Sequence, residues 1–150
     1  MSLKGILEVE IEIKSPADKY YEYWNAKAHH IPNLCNHHIR KIDMHEGDWE
    51  TEGSVKTWTY VVGGKVEVFK EKISFDKANK TMTLVGVGGD PLKDLKVYNG
   101  ILKVTPRGQQ GLAKWTLEYE TRHDNVSPPY HYLDLVIKLS KDLDAALLKV

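Results

Sequence analysis

The chain has 150 residues, 41% of them hydrophobic and 28% charged, which is ordinary usage for one folded domain spanning residues 1–150. Lys plus Arg (21) and Asp plus Glu (21) cancel, which argues against the basic stripe that a nucleic-acid binder needs. A single cysteine, Cys35, excludes an internal disulfide, and no stretch approaches the roughly 18 apolar residues of a membrane span.

The opening Met1-Ser2-Leu3-Lys4-Gly5 lacks the apolar core of a signal peptide and runs straight into a charged alternating segment. These features lead to the expectation of a cytoplasmic protein without membrane insertion. In the first element Leu7, Val9, Ile11 and Ile13 alternate with Glu8, Glu10, Glu12 and Lys14, the period-two pattern of a half-buried strand. Ser15-Pro16-Ala17-Asp18 reads as a helix start, with Ser15 as cap, Pro16 in the first turn and Asp18 completing a capping-box-like pair. Tyr20, Tyr21 and Trp24 give that helix a bulky stripe. A second short helix is expected over 26–31, stopped by Pro32.

From 37 to 120 the pattern is strand after strand. Segments 37–45, 55–62, 65–75, 81–87, 97–105 and 112–121 are separated by turn signals, among them Gly63-Gly64, a two-residue hairpin turn. After Pro128-Pro129 the period changes. Tyr132, Leu135, Val136, Leu139, Leu143, Ala146 and Leu147 recur at helical spacing opposite Asp134, Lys138, Lys141 and Asp142, in a helix of about 20 residues. The expected architecture is α+β: one strand, two short helices, six further antiparallel strands and a long helix covering the apolar face of the sheet.

That order, with Ser15-Pro16-Ala17-Asp18-Lys19-Tyr20-Tyr21, Glu46-Gly47-Asp48-Trp49, Gly53-Ser54, Gly64-Lys65 and Lys70-Glu71-Lys72-Ile73, resembles the major latex protein branch of the Bet v 1 (pathogenesis-related class 10) superfamily. Gly88-Gly89-Asp90, Val104-Thr105-Pro106 before Gly108, and Lys114 through Glu120 continue the likeness over the whole chain. The resemblance implies a curved seven-stranded sheet gripping the final helix, two short helices in a V, and a large internal hydrophobic cavity. It implies a plant protein that binds a small hydrophobic or amphipathic metabolite, as a monomer or weak dimer, in specialised metabolism or defence. Some relatives are cofactor-free enzymes, so a cyclase, isomerase or condensing activity on a reactive terpenoid or alkaloid intermediate is the alternative. The loop from Glu46 to Ser54 departs from the glycine-rich loop of birch-pollen-like members in carrying Trp49, Glu50 and Glu52. The gate and latch motifs of the related hormone receptors have no convincing counterpart.

Inward-facing positions are expected to include Trp24 and Ile31 from the short helices and Trp58, Tyr60, Val66 and Val68 from the sheet. Met82, Leu84, Tyr98, Leu102, Trp115, Leu117 and Tyr119 join them, with Tyr132, Leu135, Val136 and Leu139 from the last helix. Tyrosines suit a pocket that is apolar with a few hydrogen-bonding points; the plain alternative is a solid core.

Four residues are candidates for proton transfer. Tyr98 faces the expected cavity, and His30 or His38 could reach its mouth, where a neutral imidazole can act near pH 7. Glu71, flanked by Lys70 and Lys72, reads more readily as part of a surface ion-pair ladder than as a buried base. His29–His30 and His37–His38 are adjacent pairs, which point to opposite faces of a strand and make no ready chelate, so neither a metal nor a cofactor is expected. Glu46, Asp48, Glu50 and Glu52 set the loop at 46–54 against phosphate, and Cys35 reads as a small buried residue.

Overall fold

The alternation of the first segment produces β1 (Lys4–Ile13), whose glutamates are exposed while Ile11 and Ile13 are buried. The computed structural model describes residues 3–150; Met1 and Ser2, the first two residues of the segment read above for a signal peptide, lie outside the described residues. After β1 come α1 (Ala17–Asn25), a 3-10 turn (Ala28–His30) and α2 (Ile31–Leu34). Six strands follow: β2 (Ile39–Glu46), β3 (Val55–Val62), β4 (Lys65–Asp76), β5 (Thr81–Gly89), β6 (Leu95–Arg107) and β7 (Gln110–Thr121). A one-turn helix not expected from the sequence, α3 (Pro91–Asp94), joins β5 to β6, and α4 (Tyr130–Leu147) ends the fold.

The seven strands form one antiparallel sheet in the order β1-β7-β6-β5-β4-β3-β2. The chain therefore leaves β1 at one edge, crosses to the far edge through α1 and α2, and meanders back until β7 pairs with β1. Gly63 and Gly64, at φ 57° and 77°, make the tight turn that sets Val62 opposite Lys65. Bulges between Lys70 and Glu71, and between Leu95 and Val97, interrupt the ladders and increase the local bend. The sheet curves around α4, which buries Tyr132, Leu135, Leu139, Leu143 and Leu147 against it.

Three local expectations change. Pro16, not Ser15, occupies the cap position of α1, and no side chain caps that helix. Ser15 is instead drawn to the last helix: its backbone N–H and that of Lys14 donate to Asp144 Oδ1 and Oδ2, each at 2.9 Å. Pro32 does not stop a helix but sits in the first turn of α2, where its missing N–H costs nothing. β6 also runs on through Pro106 to Arg107, since the β5 partner of this strand ends at Lys103 and leaves the proline on a free edge.

The Asp144 carboxylate is thus the clasp between the end of β1 and the end of α4. Asp144→Ala is expected to lower unfolding free energy by about 1.5–3 kcal/mol, the usual worth of hydrogen bonds to a charged group. Urea denaturation checks this, with Asp144→Asn, which keeps one acceptor, falling between the two.

Candidate functional site

The inner face of the sheet is set by the hairpin at Gly63-Gly64. Its register places three cross-strand pairs in line: Lys56 opposite Glu71, Trp58 opposite Phe69, and Tyr60 opposite Glu67. All six share the parity of the concave face, so the sheet carries an aromatic rung between two polar ones.

Between this face and α4 lies a cavity of about 80 Å³. Trp24 from α1, Ile39 from β2, Trp58 and Tyr60 from β3, Phe69 from β4 and Leu84 from β5 line it. Tyr98 and Gly100 from β6, Trp115 and Leu117 from β7, and Tyr132, Leu135, Val136 and Leu139 from α4 complete the wall. Three tryptophans narrow it, Trp24 standing edge-on to Trp115 at 5.1 Å and tilted against Trp58 at 6.1 Å. Trp115 Nε1 donates to Ser140 Oγ at 3.0 Å and Trp58 Nε1 to Glu71 Oε1 at 3.0 Å. The hollow is small beside the roughly 300–1,000 Å³ of common ligand pockets. An engineered cavity of about 150 Å³ takes one benzene, so a ring-sized guest must move lining side chains here.

The polar rungs differ in kind. Lys56 Nζ lies 2.6 Å from Glu71 Oε1, with side chains 4% and 0% exposed, and Glu71 Oε2 has no partner among the described residues. Burial pushes the Glu71 carboxyl above its ordinary value, with Lys56 pulling the other way. At the other rung Glu67 Oε1 accepts from Tyr132 Oη at 2.7 Å and from Tyr60 Oη at 3.1 Å, tying the first turn of α4 to β3 and β4. Tyr98 is tilted against Tyr132 at 5.2 Å and edge-on to Phe69 at 5.4 Å. Burial first, and then neighbouring groups that include the Glu67 carboxylate, raise the phenols of Tyr60, Tyr98 and Tyr132. These groups are hydrogen-bond donors, held neutral, rather than bases.

The sequence model of the pathogenesis-related protein Bet v 1 family matches residues 2–150. The chain belongs to the Bet v 1 family. Within it, the chain falls in the major latex protein branch: MLP-like protein 328 of Arabidopsis thaliana is 33% identical over 150 residues, covering 99% of each chain. The crystal structure of major latex-like protein 151 from Panax ginseng superposes with a TM-score of 0.92 at 31% identity, over 95% of this chain and 97% of that one. Norcoclaurine synthase from Thalictrum flavum, solved with dopamine and hydroxybenzaldehyde, shares the fold alone, with a TM-score of 0.75 at 19% identity over 99% of this chain and 88% of that one.

In this Bet v 1 fold several expected lining residues sit elsewhere. Val66 and Val68 share the parity of Lys70 and Lys72 and face outward, 61% and 38% exposed, so neither lines the cavity. Ile31, Met82 and Leu102 are fully buried but lie in solid core beyond the hollow, and the Tyr119 ring covers Gly5. Glu71 is no member of a surface ladder; it is buried on the inner face against Lys56. His30 is exposed beside Tyr23 and His29, and His38 binds Asp142 of α4 at 3.2 Å, so neither histidine enters the cavity wall. Of the four proton-transfer candidates only Tyr98 does. Cys35 is buried, and burial pushes its thiol up to about 12, which leaves no reactive thiolate. The loop after β2 spends its polar groups on itself: Ser54 Oγ accepts from Asp48 N–H and donates to the Thr51 carbonyl.

Ile39, Phe69 and Gly100 in the wall, and the pairings of Lys56 with Glu71 and of Tyr60 with Glu67, escaped sequence reading. The signal for the last two was present, because a two-residue turn at Gly63-Gly64 fixes Lys56 opposite Glu71 and Tyr60 opposite Glu67.

Lys56→Met and Glu71→Gln, each alone, are expected to cost about 3–5 kcal/mol by leaving an uncompensated buried group, while the double variant returns to within about 1–2 kcal/mol of the parent. Additive losses in a denaturation cycle would show that the two residues are uncoupled. A second outcome concerns alkali. Tyr20 and Tyr21 are raised from 10.0 to about 12, chiefly by burial. Unfolding therefore releases their protons between those values, and stability falls as pH rises through about 10 to 12. Urea midpoints measured across that range, alongside tyrosinate absorbance, test the direction.

Proposed function

We propose that the protein is a major latex-type binding protein that carries a small apolar or amphipathic metabolite in the cavity beneath α4. The observation that carries this reading is an apolar hollow, walled by aromatic and aliphatic side chains, to which Tyr60, Tyr98 and Tyr132 contribute phenol groups and Trp24 an indole N–H with no partner among the described residues. Burying a guest there stabilises the complex by roughly 25 cal/mol per Å² of apolar surface, without any need for charge. Ring-sized guests enter when the lining side chains yield. In this reading the whole chain acts as one domain, in the cytoplasm, as a monomer or weak dimer, in plant specialised metabolism or defence.

A cofactor-free enzyme is the second reading, and less supports it. Tyr98 is the one proton-transfer candidate in the wall, and burial holds its phenol protonated. Turnover separates the two: a carrier leaves the product ratio of a reactive intermediate as it is in buffer.

Trp24, Trp58 and Trp115 report occupancy directly, so single-ring terpenoids are expected to change tryptophan fluorescence saturably. Gly100 supplies wall without a side chain, and a Cβ there meets Trp115 only at an ordinary 3.5 Å. Gly100→Val is therefore expected to fill the space, weakening binding at least tenfold while the Tm moves by only a few degrees. Unsaturable fluorescence changes, or full affinity in this variant, would remove the cavity from the mechanism.

A further inference from the structure

The two carboxylates of the inner face are treated differently by the fold. Glu71 has a cation, Lys56, at 2.6 Å. Glu67 has none: among the described residues its only side-chain partners are the Tyr60 and Tyr132 hydroxyls, and both bind Oε1. Lys93 lies near enough to feel its charge, but that lysine is exposed and bound to Asp90 at 2.8 Å. Among the described residues no group donates to Glu67 Oε2. Glu67 is not itself in the cavity wall but is bound to two hydroxyls that are, and a half-buried carboxylate with no ion-pair partner is one that a bound cation would stabilise.

The surroundings fit such a cation. The rings of Tyr60, Tyr98 and Tyr132 line the same end of the cavity, with Phe69 edge-on to Tyr98. Aromatic faces attract an ammonium placed within about 6 Å of their centroids, and several rings around one point make a cage for it. Tyr98 adds a second observation. It is 7% exposed, it lines the cavity, and among the described residues its hydroxyl has no hydrogen-bond partner. A buried polar group of this kind needs a partner from whatever occupies the space.

Resting on the binding reading above, we infer that the cavity selects guests bearing a protonated amine, with the ammonium held by Glu67 and the Tyr60, Tyr98 and Tyr132 rings and the apolar body against Trp24, Trp58 and Trp115. The head group donates to Glu67 Oε2 and to the Tyr98 oxygen. An anionic head meets the Glu67 carboxylate and is rejected.

Three probes with one ring and one chain length separate charge from shape: 3-phenylpropylamine, 3-phenylpropanol and 3-phenylpropanoate, titrated into the intact protein at pH 7 and followed by tryptophan fluorescence. The amine is expected to bind at least tenfold more tightly than the alcohol, and the carboxylate most weakly. Glu67→Gln keeps an oxygen for the two phenols, so the fold is retained. In that variant the amine is expected to fall to the affinity of the alcohol, whose own affinity changes less than threefold. Tyr98→Phe, which leaves the Glu67 contacts intact, is expected to weaken the amine about three- to tenfold. Equal binding of amine and alcohol to the parent protein, or an amine preference that survives Glu67→Gln, overturns the inference while the cavity reading stands. If none of the three binds, both fail.

Discussion

A curved sheet of seven strands has a concave face that one helix cannot fill. With strands about 4.8 Å apart, the outer members stand about 29 Å from each other, whereas a helix with its side chains is about 10–12 Å across. α4 lies along that face as the only long helix among the described residues, with α1 and α2 bridging one end. The remaining width must be taken up by large side chains or left open. Here three tryptophans and three tyrosines take up most of it, and about 80 Å³ stays open. The cavity is therefore a remainder of the architecture, and its size is set by which aromatic residues the chain places there.

The same face carries charge, which apolar packing alone does not explain. Lys56–Glu71 and Tyr60–Glu67 bracket Trp58–Phe69 on neighbouring rungs of one hairpin. The first rung is closed on itself, apart from one carboxylate oxygen, and the Trp58 indole ties it to the cavity wall. The second is shared with α4 through Tyr132, so the helix and the sheet meet through a carboxylate at one end and through Asp144 at the other. The long helix is thus pinned at both ends by acidic side chains and rests on hydrocarbon between them. This division puts the polar chemistry at the margins of the apolar space.

The elements with strong local signals were legible in the sequence. The alternation of Leu7, Val9, Ile11 and Ile13, the Gly63-Gly64 turn and the Tyr132–Leu147 stripe each depend on neighbours within a few residues, and the family likeness supplied their arrangement. The contents of the cavity were less legible, because facing depends on register. Val66 and Val68 look like core by type and face outward by parity, whereas Glu67 and Glu71 look like surface and face inward. Counting outward from the hairpin turn resolves both cases; reading each residue by its hydropathy does not. The histidines depend on loop paths for which no periodicity exists, and His38 meets Asp142 across a separation that only tertiary structure reveals.

The place of β1 in the sheet has a consequence for how the protein is made. Lys4 pairs with Glu120 and Ile13 with Gly111, so β1, once synthesised, finds its partner only after almost the whole meander has emerged. Until then Leu7, Val9, Ile11 and Ile13 have no sheet to join, and their edge is open to other chains. Contacts this distant in sequence carry a large closure entropy and slow the search. The alternating glutamates Glu8, Glu10 and Glu12 give that waiting segment a repulsive charge, which keeps nascent copies apart while synthesis finishes.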